Sequence, residues 1–371
     1  MIRTVCFFAA LFTSLSAVPV FIGTNTGGGS KSKGIYLADF DVVTGRLAQA
    51  KLAAEYENPG FLALHPEKPV LYACGRPKEA YKDGSGSVAA FSIGKDFALE
   101  FLGDASVGGK NACHIAVDAT GRTVATANYG DGSISTLRLD ENGVPGELVS
   151  LVRNEGSGPN KSRQEGPHAH GVYFDKANAR LLVPDLGLDK VLVYPFDPAS
   201  SKLGDAMSPL TTAPGAGPRH LAFSPNERHA YVINELDNSL LATSYENGEL
   251  NALGAVATLP AGFSESNSTA EVEVSEDGRF VYASNRGHDS ILVCSRDAKT
   301  GELAFVQIAP CGGRTPRHFK IAPGGKWLLC AHQGSNTISV LPRDPETGKL
   351  GVPTGTVAVP SPICLLFCHP E

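Results

Sequence analysis

Arg219, His220 and Glu235 bring a permanent cation, an imidazole that titrates near neutrality and a carboxylate into one short stretch. Between them lie two apolar runs, Leu221–Phe223 and Ala230–Ile233, separated by the turn Ser224-Pro225-Asn226-Glu227. Two strands joined by a polar turn form an antiparallel hairpin, which returns its outer ends to one edge. The three groups therefore meet at that edge. Such a set can anchor an anion and move a proton, or can be a surface salt bridge of little energetic weight. Residues of the same kind recur elsewhere: His168 and His170 in Pro-His-Ala-His-Gly at 167–171, Arg286 after Ser284 and Asn285, Arg317 with His318, and His332 with Gln333.

The elements that must position these residues come from a repeat. The hairpin recurs seven times, with its turn starting at His65, Asp118, Asp175, Ser224, Ser275, Ala322 and His369. A period of about 50 residues in a strand-rich chain marks propeller blades of four strands each. After the hairpin comes an apolar strand that ends in Asp-x-x-Thr-Gly-x-Leu, starting at Asp41, Asp297 and Asp344 in three copies. There the Asp caps the turn and the Gly supplies a positive φ. The last copy holds one strand, and the segments 18–24, 34–41 and 47–55 supply what it lacks. The expected fold is an all-β, seven-bladed β-propeller whose last blade is closed by N-terminal strands pairing with the C-terminal strand, which removes open edges. In such a ring the start of each innermost strand and the end of the next collect around one mouth of the central channel. Asn111 with His114, Thr269 with Glu271, Thr24 with Asn25, Arg76, Asn128 with Tyr129, and Asp185 join the residues above at that mouth. This density of His, Arg and Glu exceeds what strand ends need for their backbone groups, and points to a pocket.

Composition bounds the alternatives. The chain has 371 residues, 41 Gly, 25 Pro and a net charge of −6. Abundant turn formers favour many short strands, and no basic footprint points to nucleic acid. Met1–Ala17 has Arg3, an apolar run from Val5 to Leu15 and small residues before Val18, the layout of a secretory signal peptide and too short for a membrane span. The expected organisation is a signal peptide at 1–17, export, and one propeller domain at 18–371. Eight cysteines show neither a CxxC pair nor an even ladder. Cys364 and Cys368 would lie ~13 Å apart along a strand, too far to pair, and most cysteines read as small buried hydrophobes. Alternate strand residues point the same way, so His168 and His170 with His114 could share a zinc ion. Nearby Arg219 opposes a dication, and no Cys or Asp completes the set. Residues 27–34 lack P-loop spacing and read as a flexible connection.

Gly-Thr-Asn-Thr at 23–26, Ser-Lys-Gly-Ile-Tyr at 32–36, Pro-His-Ala-His-Gly at 167–171, Gly-Pro-Arg-His at 217–220, Asn234-Glu235, Ser284-Asn285-Arg286 and Pro-Arg-His-Phe at 316–319 together carry a resemblance. The chain resembles the lactonase family of seven-bladed propellers, which includes the cycloisomerase-type 6-phosphogluconolactonases and the carboxy-cis,cis-muconate lactonizing enzymes. The resemblance implies a site without metal or other cofactor, built from His170 or His168, Arg219, His220, Glu235 and Arg286. It implies hydrolysis of a small anionic lactone, 6-phosphogluconolactone foremost, by a monomer. Lactone hydrolysis needs a base for water, stabilisation of an oxyanion and protonation of the departing ring oxygen. His170 or Glu235 could be the base, His170 being the better matched near neutral pH. Arg219 and Arg286 suit a phosphate or carboxylate, or the oxyanion. His168, His220 and Gln333 could contact substrate or brace neighbouring blades, and Arg317 with His318 read as braces. Two other functions share these residues: muconate cycloisomerisation, and a secreted binding propeller without catalysis.

Overall fold

In the computed structural model the described residues are 17–75, 81 and 83–368. Residues 1–16 of the signal-peptide reading at 1–17, with Cys6, the rim position Arg76 and the last turn at His369 lie outside them. Short apolar strands broken by Gly, Pro and Asp turns fold into seven antiparallel sheets. From the channel outward, the first blade is Phe61–Leu64, Val70–Gly75, Ser87–Ile93 and Leu99–Ser106. The hairpins that open the next five begin at Ala112, Tyr173, Pro218, Ser268 and Pro316. The closing blade takes its innermost strand, Pro362–Phe367, from the C-terminal end and the remainder, Ala17–Thr24, Gly34–Asp41 and Lys51–Glu55, from the N-terminal end. Val20 pairs with Phe367, Phe21 with Leu366 and Ile22 with Leu365, so the ring closes as the repeat requires.

The apolar core is divided among the joints between blades. Phe21, Ile35, Leu62 and Leu71 fill the joint between the closing and first blades, while Val20, Phe40, Leu329 and Ile338 fill the other side of the closing blade. Corresponding clusters fill the other five joints. The second and third strands of each blade are thus buried on both faces in their middle, while the outermost strands are half-buried or exposed. The Asp-x-x-Thr-Gly turns form as expected, with Asp41, Asp297 and Asp344 each accepting backbone N–H bonds and Gly45, Gly301 and Gly348 at φ of 72°, 80° and 72°. These turns also latch adjacent blades. The Tyr231 hydroxyl donates to the Gly301 carbonyl (2.9 Å), Tyr282 to Gly348 (2.8 Å), and Trp327 Nε1 to Val42 (3.0 Å).

At the mouth of the channel the ladder slips. The innermost strand carries an extra residue against its neighbour at Cys113, Arg219, Arg317 and Ile363, and around Glu271. A bulge re-aims the side chain of the extra residue. His114, His220, Glu271 and His318, read as lying before the strands, are inside them and one step deeper in the channel. Among the described residues, no helix is long and apolar enough to cross a membrane.

Candidate active site

A cavity of about 610 Å³ opens at this mouth. Four bulge residues, Cys113, Arg219, Arg317 and Ile363, line it, together with His170, Glu235, Arg286 and Gln333 from the expected rim. Glu235 follows the strand His229–Asn234, and its N–H is fixed by the Gly217 carbonyl at 2.7 Å. Its carboxylate is a hub. Oε1 accepts from Arg163 Nη2 at 2.6 Å, while Oε2 lies 2.9 Å from Arg286 Nη2 and 3.0 Å from Arg219 Nε. Burial alone would push this carboxyl up. Arg286, Arg219 and Arg163 outweigh it and hold the group at about 2. Glu235 is therefore a fixed anion, a weak proton acceptor near neutral pH.

His170 Nε2 lies 4.0 Å from Glu235 Oε2, too far for a direct hydrogen bond. Burial first, then the charges of Arg219, His220 and Arg317, hold its imidazole well below the ordinary histidine value. The ring is neutral at pH 7, with a lone pair available to a water. Cys113 Sγ packs 3.8 Å from its Nδ1, and burial pushes that thiol up to about 12, leaving it unreactive.

His168 and His170 do not point the same way. The Pro-His-Ala-His segment leaves the ladder, its one bridge being Ala169 to Asp185, and the strand proper begins only at Tyr173. Asp185 Oδ1 accepts from the N–H groups of His168, Gly187 and Leu188, which bends the segment. His168 then stacks on Tyr129 (4.6 Å) and bonds the Tyr129 carbonyl and Glu165, outside the cavity lining. The shared zinc site on alternate residues loses its geometric premise.

His220 lies under the cavity rather than in its wall. It bonds Glu271 at 3.1 Å, and His318 approaches the same Glu271 oxygen at 3.5 Å. With His114 and Phe61, whose rings are 4.3 Å apart, these residues form a buried floor. His114 and His318 each accept a backbone N–H at Nδ1, from Val172 and Leu365, which fixes both as neutral Nε2–H tautomers. The connection at 27–34 is no bystander, since Gly27 and Gly28 line the cavity and the Asn58 side chain holds the Thr26 and Gly27 N–H groups.

Two arginines were not legible as site residues. Arg163 sits in the long connection between Val152 and Tyr173, outside the repeat, and it bridges Glu235 to the Tyr129 hydroxyl (3.2 Å). The only hint was that length, since long connections in compact domains carry function. Arg317, read as a brace, instead lines the cavity, and among the described residues it makes no hydrogen bond or ion pair. Burial, then the charges of Arg219 and Arg286, lower it to about 9 against the opposing pull of Glu235, as expected for a buried cation among like charges. Thr315, two residues earlier, is held at φ 60°, a strained setting for a β-branched residue and of the kind found at functional sites. Four guanidiniums thus face one carboxylate. The Nε–H groups of Arg219 and Arg286 are buried without an aligned acceptor, despite the short Arg219–Glu235 approach. An anionic ligand would supply the missing acceptors.

Comparison with known proteins agrees with this geometry. A family model described as lactonase, 7-bladed beta-propeller, matches residues 19–367. A 6-phosphogluconolactonase of Bacillus subtilis is 37% identical over 353 residues, covering 94% of this chain and 98% of that protein. A 6-phosphogluconolactonase of Formosa agariphila is 35% identical over 82% of this chain and 86% of its own length. Among solved structures, the periplasmic gluconolactonase PpgL of Pseudomonas aeruginosa superposes with a TM-score of 0.89 at 30% identity, covering 95% of this chain and 99% of that one.

Proposed function

The chain belongs to the lactonase family of seven-bladed β-propellers, and on that premise we propose that its cavity hydrolyses 6-phosphogluconolactone to 6-phosphogluconate. The observation that carries the choice of an anionic substrate is Arg317, a cavity cation with no ion pair among the described residues, beside three arginines that already share Glu235. Arg317 takes the phosphate, as a planar multi-donor group suited to it. Neutral His170 accepts a proton from water as the water oxygen attacks the lactone carbonyl. Arg219 and Arg286, steered by Glu235, face the oxyanion that forms. Collapse breaks the bond from the carbonyl carbon to the ring oxygen, which takes the proton back from His170, and the product acid then ionises. Glu235 holds its arginines in place and transfers no proton. Four guanidiniums around one committed carboxylate repel a dication, so the reaction needs no metal at this site. Export of the chain rests on the Met1–Ala17 pattern, and N-terminal sequencing of the mature protein checks it: an intact Met1 contradicts it.

The direct test is the rate of 6-phosphogluconolactone loss above spontaneous hydrolysis. Wild type should accelerate it, His170→Ala should lose about 10²–10⁴-fold in kcat, the range of a general base, and Arg286→Ala about 10²–10³-fold. Wild type at the background rate would overturn the phosphogluconolactonase reading and leave muconate cycloisomerisation and a binding propeller as the surviving ones.

A further inference from the structure

We propose that Cys311, Cys330 and His332 bind a zinc-like divalent ion in the wall behind the cavity. Their donor atoms lie within 4.8 Å of one another, and all three residues are fully buried. Cys330 and His332 are alternate residues of the strand Trp327–His332 and so share a face, while Cys311 comes from the loop after the strand Leu303–Pro310. Zn–S and Zn–N bonds of ~2.3 and ~2.0 Å put neighbouring tetrahedral donors roughly 3.5–3.8 Å apart. Cys311 Sγ and His332 Nδ1 are 3.9 Å apart, so little movement is needed.

The imidazole is already set for coordination. Ser339 Oγ donates to the Cys311 carbonyl (2.6 Å), so at 2.9 Å it must accept from His332 Nε2–H. Nδ1 then carries the lone pair and faces the sulfur atoms. That outer hydrogen bond is the usual companion of a metal-bound histidine. The Cys311 thiol lies 2.9 Å from the Asp289 carbonyl, to which it donates, leaving Nδ1 with only the long sulfur contact. A dication would displace both thiol protons to solvent, and two thiolates would neutralise it, the charge balance a buried site requires. The ion would tie the loop leading to Arg317 to the strand that ends at His332, just before Gln333. It is separate from the catalytic steps above.

The test adds Co²⁺ to the reduced, chelator-stripped full chain, both folded and during refolding, since the site is enclosed. One equivalent should bring up an intense thiolate-to-cobalt charge-transfer band that one equivalent of Zn²⁺ abolishes. Cys311→Ser, Cys330→Ala and His332→Gln should each lose or strongly weaken the band while Cys113→Ser, which removes the cavity thiol, keeps it. Far-ultraviolet circular dichroism selects the variants that fold. The proposal is overturned if wild type gives no band by either route, if the band survives in folded Cys311→Ser, or if Cys311 and Cys330 are found joined as a disulfide in the chain that refuses cobalt.

Discussion

At the scale of the residue, the account separates two roles that the sequence could not. Glu235 and His170 are both acid–base types on the same rim, and only their neighbours tell them apart: three guanidiniums pin the carboxylate at about 2, while burial and like charge keep the imidazole neutral. A base works when unprotonated, so activity falls only as pH drops through the lowered pKa of His170. The acid limb of the kcat/KM profile should therefore have its midpoint below 6.5, the ordinary value. Arg317→Leu removes one of the charges that depress His170, so it should move that limb toward neutral pH. A limb that stays in place in the variant contradicts the assignment. Arg317 itself was hidden because its Pro-Arg-His context matches that of Arg219, and nothing in residue type shows which guanidinium finds a counter-ion.

At the scale of the element, the repeat was legible because hairpins, Asp-x-x-Thr-Gly turns and blade period are all local patterns. The register slips at Cys113, Arg219, Arg317 and Ile363 were not, since a bulge leaves the strand's apolar alternation almost intact while turning one residue into the cavity. The shared ion weighed for His168 and His170 lost its basis for a related reason: period-two reasoning holds within a ladder, and Asp185 draws this segment out of one. The inter-blade latches give a test at this scale. A Cβ on Gly348 would come within 2.3 Å of the Phe280 ring, at a φ of 72° that costs an L-residue about 1–2 kcal/mol. Gly348→Ala should lower Tm by several degrees, and Tyr282→Phe, which removes the hydrogen bond to the same turn and leaves buried Arg343 Nε–H without its acceptor, should cost about 1–3 kcal/mol in chemical denaturation. A Gly348→Ala protein as stable as wild type would mean that the latch does not bear on stability.

At the scale of the whole molecule, closing the ring buries a layer of neutral histidines under the cavity. His114, His170 and His220 are held well below 6.5, and burial lowers His318 to about 4. Below pH 6.5 the unfolded chain therefore binds protons that the folded chain refuses, and stability falls as pH falls, from about 6.5 toward 4. Asp185, raised to about 6 by burial, works in the opposite sense with Glu227, Asp237 and Glu273, which burial also raises, while Glu235 and Asp277, held at about 2, act with the histidines. Urea unfolding at pH 7.0, 5.5 and 4.5 should show a steady loss of stability, and a flat profile would contradict the neutral floor. The same charge pattern shapes the cavity, where one ring of blades delivers four arginines from separate segments to one carboxylate. The measurement that tests the central claim most directly is kcat/KM for gluconolactone with and without its 6-phosphate, in wild type and Arg317→Leu. Wild type should prefer the phosphorylated lactone, and the variant should lose about tenfold or more on it, mostly through KM, the loss expected for a charged hydrogen bond, while the unphosphorylated lactone changes little. Equal losses on both lactones, or no preference in wild type, would contradict the reading of this cavity as a phosphorylated-lactone site.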